Sequence, residues 1–306
     1  MILAAKIFFG TAFLAGAFLG GPLLAAPAQA AGCGDGALGV ARVVQVGTPP
    51  GQSLAVGLKS YPRTLALKDR EVVLTFDDGP LPATTTKILD ALAAQCVKAT
   101  FFLVGRNAQA NPKLARRIVA EGHTIAHHTF SHQILRNISE SRAREEIEKG
   151  FRADEAAAFG SGGPPHGSRF FRYPGFADTP ELNAWLATQG AVVFGADVWA
   201  SDWVKMTPQE ELELVLKRLE ASKGGILLMH DIKAQTAAML PELLGELKRR
   251  GYAIVHLVPG DAPPPLRDAP PGWSSETQKF LQAPASSRAT PAPPADLARR
   301  PARESP

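Results

Sequence analysis

The chain has 306 residues, of which 45% are hydrophobic and 20% are charged, a composition typical of a globular protein that buries a large core. Its formal net charge is only +4, and lysine and arginine form no dense stripe, so nothing argues for a nucleic-acid-binding protein. The chain is long for one compact domain, although α/β barrels of ~200–250 residues fold as one domain.

The first thirty residues are typical of an export signal. One positive charge at Lys6 precedes an apolar run over residues 7–24, and residues 28–30 (Ala-Gln-Ala) have the small side chains of a cleavage site. A membrane anchor is the alternative, and a lipoprotein signal ending at Cys33 fits poorly because the preceding residues lack a leading leucine. We therefore expect an exported protein, periplasmic or secreted, without stable membrane insertion after cleavage.

Composition divides the rest of the chain into three parts. Residues 31–70 form a lead-in segment, and residues 71–259 hold a repeating pattern of strands and helices. Residues 260–306 are rich in proline and alanine, with eleven prolines from residue 261 onward. Such a segment buries too little apolar area to offset its ordering entropy, so we predict a disordered tail over residues 260–306.

The chain has two cysteines, Cys33 and Cys96. In an oxidising compartment an even pair suggests a disulfide, which would tie the lead-in segment to the first helix of the repeating pattern. Two unrelated buried thiols are the alternative.

From residue 72 onward, apolar strands alternate with helices. The predicted strands lie over residues 72–76, 99–104, 124–128, 169–172, 191–198, 226–229 and 252–258. The predicted helices lie over residues 84–95, 112–121, 140–158, 180–189, 208–222 and 237–250. The strands lack two-fold alternation, as expected when both faces are covered. Alternating strands and helices predict a parallel sheet, either open or closed into a barrel.

Polar residues follow the carboxyl ends of five of the seven predicted strands. They are Asp77, Asp78, His128, Arg172, Asp197, Asp202, His230 and Asp231. In a barrel this edge is the floor of the active site, whereas an open sheet binds ligands mainly at its switch point. Contributions from five strands therefore favour a closed or nearly closed barrel.

Two features at this edge suggest a metal site. Asp77 and Asp78 end an apolar strand, where buried carboxylates are costly unless a cation pairs with them; a polar Asp-Gly turn is the alternative. His128 and His132 are four residues apart, so their imidazoles can converge on one point. With one carboxylate they match the ligands of a catalytic zinc site, although two surface histidines are the alternative. His127 should point to the opposite face and pack there.

Two adjacent aspartates do not easily share one position on a metal. One would be a ligand, and the other would accept a proton from water. Hydrolysis of an amide or ester also needs a proton donor on the leaving-group side, and His230, from another strand, fits this role. Asp202 would raise the pKa of that histidine. Arg172 would hold the basic aspartate ionised and oriented, with a structural salt bridge as the alternative.

Five segments of the chain resemble the motifs of the NodB-homology polysaccharide deacetylases, carbohydrate esterase family 4, in the order of that family. They are residues 75–79 (Thr-Phe-Asp-Asp-Gly), 128–132 (His-Thr-Phe-Ser-His), 172–175 (Arg-Tyr-Pro-Gly), 197–203 and 228–230 (Leu-Met-His). The resemblance covers about residues 71–258. It implies a distorted (β/α) barrel of about seven parallel strands with one divalent metal ion, zinc first, with Co, Mn or Ni as alternatives.

The resemblance also implies a role for each residue at the strand ends. Asp77 would be the general base oriented by Arg172, and His230 would be the general acid tuned by Asp202. The other implied roles are metal binding by Asp78, His128 and His132, an acetyl pocket of Trp203 and Leu228, and a backbone oxyanion donor near Gly175. Gly175 departs from the family, where many members have a bulky aromatic, and so does His127.

These expectations describe a hydrolase of linear amide bonds that removes N-acetyl groups from a GlcNAc-containing glycan. Chitin oligomers, peptidoglycan and a surface polysaccharide are the candidate substrates. An esterase that removes O-acetyl groups from a polysaccharide such as xylan is the alternative, because its mechanism is the same. A binding protein on an inactive barrel would show a damaged catalytic set. A His₂-carboxylate iron oxygenase would leave Asp77, Arg172 and His230 without roles.

Overall fold

The computed structural model of the chain describes residues 36–160 and 168–282. The predicted export signal over residues 1–30 and Cys33 lie outside these described residues, so the signal and the Cys33–Cys96 disulfide both stay predictions. Within the two described ranges, no helix has the length and apolar character that are needed to cross a membrane.

The described residues form twelve strands and eight α-helices in a largely alternating order. The strands are β1 (Arg42–Val46), β2 (Leu54–Val56), β3 (Arg63–Leu65), β4 (Glu71–Asp77), β5 (Thr100–Leu103), β6 (Thr124–His127), β7 (Phe170–Phe171), β8 (Val192–Phe194), β9 (Val198–Trp199), β10 (Gly224–His230), β11 (Ala253–Pro259) and β12 (Leu266–Asp268). The helices are α1 (Pro82–Ala94), α2 (Gly105–Ala110), α3 (Pro112–Ala120), α4 (Glu140–Phe159), α5 (Pro180–Thr188), α6 (Pro208–Ser222), α7 (Ala234–Arg249) and α8 (Glu276–Gln282).

The large sheet is parallel and curves around an apolar interior. Its ladders join β4 to β5, β6, β7, β8 and β2 on one side. On the other side β4 pairs along its whole length with β10, and β10 pairs with β9. The inward residues that pack together include Val73, Phe102, Phe170, Phe194 and Ile226. Residues from both arms of the sheet thus pack together inside it, and among the described residues no ladder joins β8 to β9. The fold is therefore the distorted α/β barrel that the sequence predicts, with a mostly parallel sheet that is not closed by hydrogen bonds.

The prediction of a single strand over residues 191–198 is wrong, because that stretch forms β8 and β9 with a break between them. Asp197 lies in the break and accepts hydrogen bonds from the backbone N–H of Leu58, the hydroxyl of Thr64 and the backbone N–H of Ile226, each at 2.9 Å. These bonds satisfy a buried carboxylate. These hydrogen bonds interrupt the strand between β8 and β9, so the role of Asp197 is structural.

The helices cover the outer face of the sheet with their apolar sides. Leu89 of α1, Leu219 of α6 and Leu243 of α7 pack with the outward residues of β4 in one core cluster. Helix α6 begins at a capping box in which Thr207 and Glu210 exchange side-chain and backbone hydrogen bonds. This start fixes the rotation of α6 and turns the next residue, Glu211, into the interior, where it is fully buried.

The prediction of a disordered tail from residue 260 is wrong for residues 260–282. Strand β12 pairs antiparallel with β3, and Trp273 donates its indole N–H to the carbonyl of Leu58 at 2.7 Å. The hydroxyl of Thr277 donates to the carbonyl of Lys59 at 2.6 Å. The proline-rich composition hid this order because the segment is held mainly by hydrogen bonds to the lead-in segment, with Leu266 packed against the apolar interior. Residues 283–306 lie outside the described part.

Candidate active site

Strand ends of the barrel surround a cleft of about 490 Å³, a size within the usual range for ligand pockets. Strands β4 and β10 end at this cleft with Asp77 and His230, and His128 follows β6 directly. Every predicted metal-binding and substrate-binding residue lines it, and so do the predicted base and acid: Asp77, Asp78, His128, His132, Gly175, Trp203, Leu228 and His230. The structure thus brings together residues that are as much as 153 positions apart in the sequence.

Asp78, His128 and His132 form a group whose ligand atoms lie within 4.8 Å of one another. Asp78 Oδ1 is 3.5 Å from His128 Nε2 and 3.2 Å from His132 Nε2. Both Asp78 and His132 have a positive φ, 79° and 61°, a conformation that costs energy for residues other than glycine. The local backbone is therefore strained where it aims these side chains at a common point.

The donor atoms of this group fit a divalent metal ion. His128 Nδ1 lies 2.7 Å from the carbonyl of Arg172, so Nδ1 carries the proton and Nε2 presents its lone pair to the group. Burial lowers the pKa of His128 to about 4, which keeps it neutral, as ligation requires. Asp78 Oδ1 is buried and has no hydrogen-bond partner, which is costly for a carboxylate unless a cation is present.

Burial and the neighbouring imidazoles shift the pKa of Asp78 in opposite directions. Burial alone would raise the pKa of its carboxyl, but His132, His230 and His128 together hold that pKa well below its usual range. Asp78 is therefore ionised, and its charge is available to a metal.

We call Asp77, Arg172 and Thr75 the base side of the cleft. Arg172 is fully buried and donates from Nη1 to Asp77 Oδ1 at 2.6 Å and to Thr75 Oγ1 at 3.0 Å. Its remaining donors bond to the carbonyls of Phe194 and Gly195. Because Arg172 occupies Oδ1, Asp77 presents Oδ2 to the cleft, 3.8 Å from His128 Nε2.

We call His230, Asp202, Thr236 and Glu211 the acid side. His230 Nδ1 lies 2.7 Å from Asp202 Oδ1, and the backbone N–H of His230 donates to Asp202 Oδ2 at 2.6 Å. Burial lowers the pKa of His230, but the adjacent Asp202 carboxylate outweighs this effect and raises the pKa to about 9. His230 is therefore an imidazolium at neutral pH, with Nε2 4.0 Å from Asp78 Oδ2.

Gly175, Trp203 and Leu228, the predicted substrate-binding residues, also line the cleft. Trp203 is 38% exposed, and its ring meets His230 edge-on with centroids 5.9 Å apart. Gly175 has φ +59°, and a Cβ there would lie 3.1 Å from Ile134, so a larger residue would be strained. The next residue, Phe176, stacks on Trp199 and lines the cleft, so this chain has its aromatic one position later.

His127 lies away from the cleft, as the alternation of the strand predicts. Its Nδ1 is 2.8 Å from Asp154 Oδ2 and its Nε2 is 3.1 Å from the carbonyl of Ser168. Both side chains of the pair are fully buried, and the His127 ring packs on Phe151 with centroids 3.8 Å apart. His127 is therefore a hydrogen-bonded core residue, and it is not part of the His/Asp group that could bind a metal.

The sequence did not reveal two parts of the site. Lys59 of the lead-in segment and Glu276 and Phe280 of α8 also line the cleft, and Lys59 forms an ion pair with Glu276. The second part is Thr236 and Glu211, which continue the acid side beyond Asp202. Each of these residues is polar or aromatic in an ordinary helix or loop, so no motif marks it.

One protein family and several known proteins resemble this chain. The family model described as "Polysaccharide deacetylase" matches residues 65–190. A chitooligosaccharide deacetylase of Bradyrhizobium sp. is 33% identical over 199 residues, which cover 60% of this chain and 88% of that protein. A peptidoglycan-N-acetylglucosamine deacetylase of Bacillus cereus is 32% identical over 192 residues, 61% of this chain and 86% of that protein.

Solved structures lead to the same family. The peptidoglycan deacetylase Bd3279 of Bdellovibrio bacteriovorus matches with a TM-score of 0.61 and 29% identity. The match covers 71% of this chain and 60% of that one, so this chain spans less than two thirds of that protein. The chain belongs to the polysaccharide deacetylase family of the NodB-homology type, and it is a hydrolase of that class.

Proposed function

We propose that the protein is a divalent-metal-dependent N-deacetylase that acts on GlcNAc-containing glycans. The observation that carries the proposal is the arrangement of three metal-ligating side chains between an arginine-paired carboxylate and a carboxylate-paired imidazole. The names of the relatives support the substrate class, because they include a chitooligosaccharide and a peptidoglycan-N-acetylglucosamine deacetylase.

The base side would activate water. Asp78, His128 and His132 would hold a divalent cation, which would supply a Lewis acid to polarise the substrate carbonyl and to lower the pKa of a water molecule. Asp77 Oδ2 accepts the proton of the water that attacks the acetyl carbon. Arg172 keeps the Asp77 carboxylate in place through its bond to Oδ1, so the base does not need to reorient during the reaction.

The acid side would release the amine. As the C–N bond breaks, His230 Nε2 donates its proton to the leaving nitrogen, and the acetyl group departs as acetate. Asp202 stabilises the imidazolium before this transfer and fixes Nδ1 as a protonated position. A backbone N–H near Gly175 would donate to the carbonyl oxygen, where negative charge develops.

The apolar side chains of the cleft would hold the acetyl group and the sugar. Trp203 and Leu228 form the pocket for the acetyl methyl. Phe176 and Phe280 also line the cleft, and an aromatic face suits the apolar face of a sugar ring. The aromatic side chains thus favour a glycan over a small acetylated amine.

Zinc is the metal that we propose first, because two imidazoles and one carboxylate with open positions are typical of catalytic zinc sites. Cobalt, manganese and nickel bind similar donors. The same donors also suit Fe(II), but an iron oxygenase would use neither the Asp77–Arg172 pair nor the His230–Asp202 pair. Metal analysis of the purified protein, with an anaerobic activity assay, separates these alternatives.

We also propose export, residues 71–259 as the catalytic domain after the lead-in of residues 31–70, and the Cys33–Cys96 disulfide. The export proposal rests on residues 1–30 and on relatives that act on peptidoglycan, a glycan outside the cytoplasm. Mass spectrometry of the mature protein tests the cleavage, and a chain that retains Met1 contradicts it. Thiol titration of the denatured, unreduced protein tests the disulfide, and two free thiols contradict it.

Acetate release from a panel of glycans tests the proposed activity. The panel contains chitin oligosaccharides and peptidoglycan as amide substrates and acetylated xylan as an ester substrate. We expect acetate from at least one amide substrate, and its loss together with the metal in His128→Ala. Acetate from xylan alone would assign O-deacetylation. No acetate from any substrate by metal-loaded protein would contradict the proposal.

A further inference from the structure

The acid side continues past Asp202 to a second buried carboxyl group. Thr236 Oγ1, in the first turn of α7, lies 2.9 Å from Asp202 Oδ2 and 2.9 Å from Glu211 Oε1 on α6. Glu211 and Thr236 are fully buried, and Asp202 is 2% exposed. One hydroxyl therefore stands between two carboxyl groups that water does not reach.

The number of protons in this arrangement is fixed by its chemistry. A hydroxyl has one hydrogen to donate, and an ionised carboxylate only accepts. If both carboxyls were ionised, one of the two contacts of 2.9 Å would bring two oxygen atoms together with no hydrogen atom between them. The chain of contacts therefore requires one additional proton, carried either by Asp202 or by Glu211.

The neighbours of the two carboxyls show which one carries it. Asp202 accepts from the backbone N–H of His230 at Oδ2 and from the ring Nδ1 of His230 at Oδ1, so it is the acceptor. Glu211 Oε2 is buried with no hydrogen-bond partner, which would be costly for a charged oxygen. The additional proton therefore belongs to Glu211.

Electrostatics supports this assignment. Burial and the negative charge of Asp202 raise the pKa of Glu211 to about 8, while the hydroxyl of Thr236 and the positive charge of His230 act in the opposite direction. Two ionisable groups thus face Glu211: Asp202 from the loop after β9 and His230 from the end of β10. Repulsion from Asp202 and the loss of solvation outweigh the attraction to His230.

We propose that Glu211 is a positioning residue that remains a neutral carboxylic acid and donates its hydrogen to Thr236 Oγ1, which directs the hydroxyl hydrogen to Asp202 Oδ2. Asp202 then has three donors: two from His230 and one from Thr236. Its carboxylate stays charged and is held in one orientation. An ionised Glu211 would instead accept the hydroxyl hydrogen of Thr236, so Asp202 would lose that hydrogen bond. It would also place a second negative charge close to Asp202.

The pH dependence of stability tests the protonation of Glu211 without using the enzymatic activity. The model-peptide pKa of glutamate is near 4.5 and the folded pKa is about 8, so between these values the folded state holds one more proton than the unfolded state. This single group makes stability fall as pH rises through that window. Glu211→Gln removes the titrating group but keeps a donor to Thr236.

We expect the unfolding constant of the wild type to rise about tenfold more per pH unit than that of Glu211→Gln between about pH 5 and 8. Glu213→Gln is the matched control, because Glu213 is exposed on the same helix, and its slope should equal that of the wild type. Equal slopes for wild type and Glu211→Gln would show that Glu211 is ionised in the folded protein and would overturn the proposal.

Substitutions of Thr236 test the positioning role and remain informative if Glu211→Gln does not fold. This part rests on the proposed function. Thr236→Val keeps the shape and removes the hydroxyl, whereas Thr236→Ser keeps the hydroxyl and loses a methyl group. We expect Thr236→Val to lower kcat about tenfold, the loss expected when a hydrogen bond to a charged group is removed, with little change in KM. Thr236→Ser should restore kcat.

The reverse order, with Thr236→Val active and Thr236→Ser impaired, would assign Thr236 a packing role and overturn the proposed positioning of Asp202 through Thr236. A protein with no deacetylase activity at all would contradict the proposed function but would leave the stability slopes as an independent test of the Glu211 proton.

Discussion

On the base side of the cleft, a buried arginine holds a carboxylate, and on the acid side a buried carboxylate holds an imidazole. The Arg172 guanidinium donates hydrogen bonds to two carbonyls, one hydroxyl and the Asp77 carboxylate. The Asp202 carboxylate is held by N–H groups of His230 and by a hydroxyl that leads to Glu211. One barrel end thus stabilises a negative group and a positive group a few ångströms from one metal-ligating set.

The two sides differ in how their buried charges are balanced. Arg172 is neutralised directly by Asp77, so the base side forms one buried ion pair. The acid side holds two carboxyl groups against one imidazole, and it needs a neutral Glu211 to avoid an excess of negative charge. A change on the base side should therefore affect folding, whereas a change on the acid side should mainly affect catalysis.

The largest effect is expected for Arg172→Met. The substitution leaves the Asp77 carboxylate buried without its cation, which costs about 3–5 kcal/mol of stability when one partner of a buried pair is removed. Activity should be lost as well, since Asp77 loses its orientation. Chemical denaturation measures the first effect, with Arg169→Met at an exposed position nearby as control. A stability equal to that of the control would contradict the role of the ion pair.

A smaller effect on stability but a large one on turnover is expected for Asp202→Asn. The amide does not stabilise the imidazolium of His230, so kcat should fall about 10²- to 10⁴-fold, the contribution of a general acid. Metal content should not change, because Asp202 is not in the His/Asp group. Kinetics and metal analysis of the same sample check both statements. Asp69→Asn, at an exposed position, should behave as the wild type. Unchanged kcat in Asp202→Asn would contradict the role of Asp202 in holding His230 protonated.

The smallest effect is expected for Phe280→Ala, because Phe280 belongs to neither the base side nor the acid side of the cleft. Phe280 is 39% exposed and lines the cleft, so its loss should raise KM for an oligosaccharide about fivefold, or ~1 kcal/mol, without changing kcat. Phe159→Ala removes a similarly exposed ring on α4 and should leave KM unchanged. Equal KM values for the two variants would exclude α8 from substrate binding.

The catalytic end of the barrel was predictable because its signals are local. Apolar strands that end in or next to Asp77-Asp78, His128 or His230 place those residues at one edge of any parallel sheet, so the sequence predicted the fold class and the cleft residues at the strand ends. Gly175 was also recognisable as unusual, although only the structure shows that Phe176 supplies the aromatic ring to the cleft.

The remaining features depend on contacts between distant segments. The break between β8 and β9 follows from hydrogen bonds of Asp197 to the lead-in segment, and the order of α8 follows from bonds of Thr277 to Lys59 and Ser60. Glu211 resembles any glutamate in the first turn of a helix. Its neutral state depends on the meeting of α6, α7 and the loop of Asp202, which no sequence pattern records.

The central claim is that Asp77 acts as the base beside a metal that it does not bind. The most direct measurement is acetate release and bound metal in one preparation of Asp77→Asn, with the wild type alongside. We predict one divalent ion per chain in both proteins and loss of acetate release in the variant. Wild-type rates of acetate release from Asp77→Asn, or a wild-type protein that binds no divalent ion, would contradict the account.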